Sequence, residues 1–234
     1  MMTAVKRSGA IWGLPARRRS QIVRRVCERL QAAYSTPRLG NPRAALDDLV
    51  YITLTNKTGP RTADAVYRRL KNEFPGWDAM LGAPARKVRR ILTPAGLSRI
   101  KTAYLRDAMR RIRTDFGRCS LSPLRGWSEV EAERYLVSLP GVSQKVAKCI
   151  MLFTLGARVL PVDAHVHRVA GRLGWTARKR ADQCHEELEA LVRPRWRYGF
   201  HVGAVQHGRA VCKPRAPACE NCCIRKHCML KGAT

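Results

Sequence analysis

Acidic residues are scarce in this sequence. Seventeen Asp and Glu stand against 45 Lys and Arg, a formal net charge of +28 with an isoelectric point near 11.0. So large an excess repels itself and is hard to keep unless a polyanion is the working partner. Phosphate contacts dominate nucleic-acid affinity, so the charge points to nucleic acid. Long apolar runs are missing too. No uninterrupted stretch reaches the ~18 residues of a membrane-spanning helix. Residues 1–21 are basic but lack the apolar core and cleavage site of a secretory signal. They read as a DNA-touching arm or a plain tail. The expectation is a cytoplasmic, nucleoid-associated monomer with no membrane contact. Alternating strand patterns and solenoid-type repeats are likewise lacking, which argues against sheets and repeat arrays.

What remains is helical. The 45% hydrophobic content supplies a core, and its spacing is that of short amphipathic helices. Ile22, Val23, Val26, Leu30 and Ala33 recur at three and four residues, which predicts a helix over 17–34. Asn41-Pro42 reads as a cap followed by proline at the first helical position, opening a helix through Leu46, Leu49, Val50 and Ile52. Further helices are predicted over 62–74, 83–92, 97–115, 128–138, 144–155, 163–173 and 177–191. The helix from Ser128 carries a capping box, with Glu131 three residues on. The fold class is therefore all-α.

Five of the nine cysteines fall between Cys212 and Cys228. In a reducing compartment such crowding suggests metal binding rather than disulfides. Cys212, Cys219, Cys222 and Cys228 read C-x6-C-x2-C-x5-C, with one short pair where zinc sites commonly use two. Four thiolates are also what an iron–sulfur cluster requires. Cys223 reads as a spare thiol. Cys27, Cys119, Cys149 and Cys184 are scattered and read as small core residues.

Two further segments stand out. Leu139-Pro140-Gly141-Val142 lies between two predicted helices and forms a tight turn in which Gly141 can take a positive φ. The helix start behind it, from Ser143, is a seat for phosphate. Lys145 falls in that first turn, and 18 residues later Asp163 stands before another amphipathic helix. By themselves these two would be a salt-bridging lysine and a helix cap.

Together, the segments 139–147 (LPGVSQKVA) and 162–169 (VDAHVHRV) resemble the helix–hairpin–helix and catalytic loop of the endonuclease III family of DNA glycosylases. The cysteine spacing, preceded by His207-Gly208-Arg209, is similar to that family's cluster loop. The resemblance covers about residues 38–230. It implies Lys145 as nucleophile, Asp163 as its assisting acid group, and a [4Fe–4S] cluster on Cys212, Cys219, Cys222 and Cys228. It implies a six-helix barrel over 39–157, with the hairpin motif at about 130–150. A cluster domain over 158–234 is completed by the helix within 1–38.

The activity implied is excision of oxidised pyrimidines such as thymine glycol from duplex DNA, with β-elimination at the abasic site. DNA-contacting residues implied are Leu139, Gly141, Ser143, Lys148 and His165, with Lys213, Arg215, Arg225 and Lys226 on the cysteine loop. Asn56 or Lys57, depending on a one-residue shift, falls where relatives place a space-filling glutamine. Leu97 reads equally as a wedge into the base stack and as a core leucine. Two other readings stand beside this one. An adenine-removing mismatch glycosylase needs a carboxylate ahead of Asn56, where the chain has Ile52, Thr53 and Leu54. A DNA-binding iron–sulfur protein without catalysis would keep the fold while having no use for Lys145 and Asp163.

Overall fold

The structure is a computed structural model that describes residues 7–35, 39 and 41–230. The first six residues of the basic arm, and residues 36–38 at the expected edge of the first domain, lie outside the described residues. In chain order the helices are α1 (Ala16–Tyr34), α2 (Ala45–Thr55), α3 (Pro60–Glu73), α4 (Trp77–Gly82), α5 (Ala85–Leu92), α6 (Ser98–Phe116), α7 (Glu129–Ser138), α8 (Gln144–Ile150), α9 (Ala164–Arg172), α10 (His185–Leu191) and α11 (Pro194–Ala210). No strand occurs among the described residues, so the fold is all-α. No helix among them is long and apolar enough to cross a membrane.

The chain divides into two compact units. One is continuous, residues 40–157, and the other joins residues 1–39 to 158–234. The continuous unit holds α2 to α8. Its core draws Leu46, Leu49, Val50 and Leu54 from α2, Val66 and Leu70 from α3, and Leu105, Met109 and Ile112 from α6. Residues three and four apart on a helix share a face, so each apolar stripe is buried as a unit. Punctuation is local. Pro60 occupies the first turn of α3, Gly117 ends α6 in a left-handed conformation (φ 74°), and the Ser128–Glu131 capping box opens α7 as expected.

The discontinuous unit packs α1 against α11 and α11 against α9. Val23, Val26 and Leu30 meet Val166, Val169, Phe200 and Ala204 in one core, with Trp175 at its centre. Trp175 stacks on Phe200 with ring centroids 5.0 Å apart. Gly203 is what lets α1 and α11 approach. A Cβ there would lie 2.9 Å from the Leu30 Cβ.

Several expected elements differ. Asn41 does not cap α2, which begins at Ala45. The Asn41 side chain instead donates to Asp48 Oδ1 at 2.6 Å. The helix expected over 177–191 forms only as a short turn at Ala181–Gln183 followed by α10. Arg180 and Asp182 pair with one another before α10 begins. The helix expected over 144–155 widens after Ile150 into a π-type turn, Met151–Leu155. Both α4 and α11 are additions to the sequence reading.

Candidate active site

In the continuous unit, α7 stops at Ser138 and the chain reverses through residues 139–142. The Val142 amide donates to Leu139 O at 3.1 Å, closing the turn. Gly141 sits at φ 76°, and a Cβ on it would come within 2.5 Å of the Tyr104 ring. Only glycine fits here, on grounds of both φ and space. Ser143 then caps α8, its Oγ accepting from the Val146 amide at 3.4 Å. Lys145 follows on the first turn of α8, partly exposed.

The two arms of the hairpin are tied by one carboxylate. Glu133 of α7 accepts from Gln144 Nε2 at 3.0 Å and pairs with Lys148 Nζ at 3.1 Å. This corrects the reading of Lys148 as a phosphate contact. Its side chain is 4% exposed and neutralised inside the unit, and unpairing a buried charge is costly. Leu139 can take part only through its main chain. It is 2% exposed, so its side chain belongs to the core and only its backbone can face a ligand. Gly141 and Ser143 are exposed.

Two turns of the same unit carry the remaining candidates. Asn56 and Lys57 are exposed after α2, and Lys57 holds a left-handed φ of 55°. Leu97 is 46% exposed, also left-handed at φ 48°. The alternative of a core leucine is thereby removed.

In the discontinuous unit, Asp163 caps α9. Its Oδ1 accepts from the amides of His165 (2.9 Å) and Val166 (2.8 Å). The segment leading to it is fixed from behind. The Leu160 amide donates to Glu189 Oε1 at 2.7 Å, and Pro161 O lies 3.0 Å from His201 Nδ1. His165 is partly exposed. Burial lowers its pKa, so the imidazole is held towards its neutral form.

Two arginines one turn apart on α9 anchor the start of the cysteine loop. Arg168 donates to Cys212 O (2.8 Å) and Gly208 O (2.9 Å). Arg172 donates to Cys212 Sγ (3.1 Å), Lys213 O (2.9 Å) and Pro214 O (3.1 Å). The Cys228 thiol donates back to Arg172 O at 3.4 Å. Burial, then the neighbouring thiols Cys223, Cys212 and Cys228, push the Cys222 thiol up to about 11. An all-thiol donor set suits an iron–sulfur cluster in its chemistry. Among the described residues, however, no three or more His, Cys, Asp or Glu side chains are drawn into a metal-holding group. Lys213, Arg215, Arg225 and Lys226 are exposed along the loop. Cys27, Cys119, Cys149 and Cys184 are buried, and Cys223 is half-buried.

Residues 50–194 match the family described as HhH-GPD superfamily base excision DNA repair proteins. That stretch contains the hairpin, Lys145 and Asp163. The chain belongs to this superfamily. Proteins named endonuclease III are among those it resembles. It is 38% identical to the endonuclease III of Thermotoga maritima over 94 residues, which cover 40% of this chain and 44% of that one. It is 29% identical over 181 residues to a candidate DNA glycosylase of Arabidopsis thaliana, covering 76% of this chain and 59% of the relative. The chain thus spans about half the length of these curated relatives. Among solved structures, an endonuclease III–DNA complex superposes with a TM-score of 0.78 at 19% identity, covering 90% of this chain and 95% of that one. A thermostable thymine-DNA glycosylase reaches 0.77 at 21% identity, covering 89% and 96%. At such identities the likeness establishes a shared fold.

The sequence did not announce Tyr104 or Glu133. Tyr104 stands behind Gly141, and Glu133 locks α8 to α7. The signal for Glu133 was a carboxylate placed before two α8 donors in a chain short of carboxylates. For Tyr104 there was none, because its contact is remote in sequence.

Proposed function

We propose that this glycosylase is bifunctional, removing oxidised pyrimidines such as thymine glycol from duplex DNA and then cutting the abasic strand. The observation that supports this most is Lys145. It is a partly exposed lysine on the first turn of α8, set by a glycine-only hairpin and a serine cap.

Chemistry on a paired base requires the nucleotide to leave the stack. The exposed backbone of the hairpin at Gly141 and Ser143 would take a phosphate, and the basic residues of the cysteine loop would hold the flanking backbone. The Lys145 amine, deprotonated, attacks C1′ of the deoxyribose. The C1′–N bond breaks, and the base departs with the bonding pair and takes up a proton. Loss of a proton from the nitrogen leaves a closed-ring amino sugar. Its C1′–O4′ bond then breaks as the nitrogen lone pair forms the C=N bond and O4′ takes up a proton, which gives the protonated Schiff base. Removal of a C2′ proton then expels the 3′ phosphate by β-elimination. The Asp163 carboxylate stabilises positive charge growing on the sugar and relays protons in these steps. Cys212, Cys219, Cys222 and Cys228 would hold a [4Fe–4S] cluster whose part is to order the basic loop. The proposed setting is the cytoplasm, on nucleoid DNA, as a monomer.

Borohydride trapping on a thymine-glycol duplex tests the proposal. The wild type should form a covalent protein–DNA adduct, and Lys145→Ala should form none while still binding the duplex. Asp163→Asn should slow excision by about 10²- to 10⁴-fold, the usual worth of a positioned acid–base group. An absence of adduct on thymine glycol, other oxidised pyrimidines and preformed abasic sites would leave a DNA-binding protein without catalysis.

A further inference from the structure

Lys101 lies on α6 in the apolar register of Leu105, Ala108 and Ile112, and it is 3% exposed. Its Nζ donates to four oxygens: Leu54 O (2.9 Å), Asn56 O (2.9 Å), Thr58 Oγ1 (3.0 Å) and Ala95 O (2.8 Å). An ammonium has three protons, so they are shared among the four acceptors. None of the four is a carboxylate. The buried charge is compensated by dipoles, and two of these are carbonyls at the C-terminal end of α2, where a helix favours a cation.

The acceptors come from two separate turns. Leu54 belongs to the last turn of α2, Asn56 and Thr58 to the turn that follows it, and Ala95 to the turn before α6. Thr58 Oγ1 also donates to Ala95 O, so hydroxyl and ammonium stitch the same two turns. These turns present the exposed, left-handed residues Lys57 and Leu97. Such conformations cost non-glycine residues about 1 kcal/mol or more each and persist only where surroundings enforce them. Gly96, at φ 66°, completes the second turn.

We propose that Lys101 is a positioning residue, an internal cation that locks the 54–58 and 95–97 turns together so that Asn56, Lys57 and Leu97 meet DNA as one preformed wedge. This rests on the proposed reading of those turns as the parts that enter the duplex. Locking matters because ordering a loop during binding subtracts from affinity, and a rigid wedge avoids that loss. The gain should appear where the wedge fills a gap, not on intact duplex. An arginine would not serve, since its planar fork cannot direct protons to four oxygens around a point.

The test uses the full-length protein with an intact duplex and with the same duplex bearing a tetrahydrofuran abasic analogue. Lys101→Met keeps the length of the side chain and removes the charge. It should speed amide hydrogen exchange in both turns by about tenfold or more in the DNA-free protein, leaving the α6 core amides protected. It should also cut the preference for the abasic analogue by about tenfold while sparing intact-duplex affinity. Thr58→Val should act in the same direction and more weakly, and it carries the test if Lys101→Met does not fold. In Lys101→Ala, added ammonium ions should restore part of the preference by filling the vacated oxygens. Unchanged exchange in the two turns, or equal losses on both duplexes, would overturn the proposal. A wild type with no preference for the abasic analogue would instead count against the proposed function, while the exchange data still decide whether Lys101 locks the turns.

Discussion

The hairpin at 139–142 and the cysteine loop at 212–228 are both short and both sit against helices, yet they are held by opposite means. The hairpin is set by backbone geometry. A left-handed glycine lies against an aromatic ring, a serine caps the next helix, and a half-buried carboxylate spans the two arms. The cysteine loop has little apolar anchorage, with Ile224 its buried hydrophobic residue. Its entry is fixed by arginines reaching carbonyls and a sulfur. A turn made from packing is complete once its helices form. A loop of thiols and side chain–carbonyl bonds gains most from something its sulfurs can bind. That contrast yields a ranked set of perturbations.

The largest effect should come from the sulfurs. Cys222→Ser in the purified holoprotein should abolish the broad visible absorbance expected of an iron–thiolate cluster. It should also open residues 213–227 to proteolysis while residues 40–157 stay resistant, because metal binding and folding of such a loop are one free energy. Cys223→Ser should leave the colour intact. A colourless wild type containing one zinc would remove the iron assignment.

Next comes the hairpin. Gly141→Ala adds a Cβ at a positive φ and inside contact distance of Tyr104. The combined strain and crowding should cost about 1–3 kcal/mol, read as a lower thermal midpoint. The visible absorbance should not change. Were it to fall together with stability, the two regions would not be as separable as their means of support suggest.

The smallest effect lies at the start of the helix that feeds the hairpin. Ser128→Ala should cost about 1 kcal/mol at neutral pH. Its hydroxyl accepts from the Glu131 amide and donates to the Glu131 carboxylate. The Ser128 hydroxyl and amide hold the Glu131 carboxyl below its ordinary value. A depressed carboxylate contributes stability above its unfolded pKa and loses it as pH falls through the folded one. The wild-type advantage measured by chemical denaturation should therefore shrink between pH 6 and pH 3.

Features encoded by neighbours in sequence were legible. The capping box at Ser128, the apolar stripe of α1 and the glycine turn at 141 each follow from residues within one or two helical turns. Features encoded by distant packing were not. The α11 helix contains Gly199, Gly203 and Gly208, and apolar residues surround it, so no amphipathic stripe marks it. Gly203 makes sense only beside Leu30. Lys148 illustrates the same limit at the site. Lysine next to a hairpin suggests phosphate, and only the burial of its ammonium beside Glu133 shows otherwise. Leu97 could be wedge or core from sequence, and its exposure removes the core reading. Relations among the cysteines were readable as spacing, whereas Arg168 and Arg172, which hold their loop, were not.

The pairing of α1 with α11 has a consequence for synthesis. On the ribosome α1 emerges early, but the helix that covers Val23, Val26 and Leu30 is translated more than 150 residues later. At about 5–20 residues per second the wait lasts on the order of ten seconds or more, during which residues 40–157 can already collapse. A nascent chain of this kind carries an uncovered apolar stripe on a strongly cationic segment. It would therefore gain from a holdase, or the ribosome's own surface, until α11 arrives.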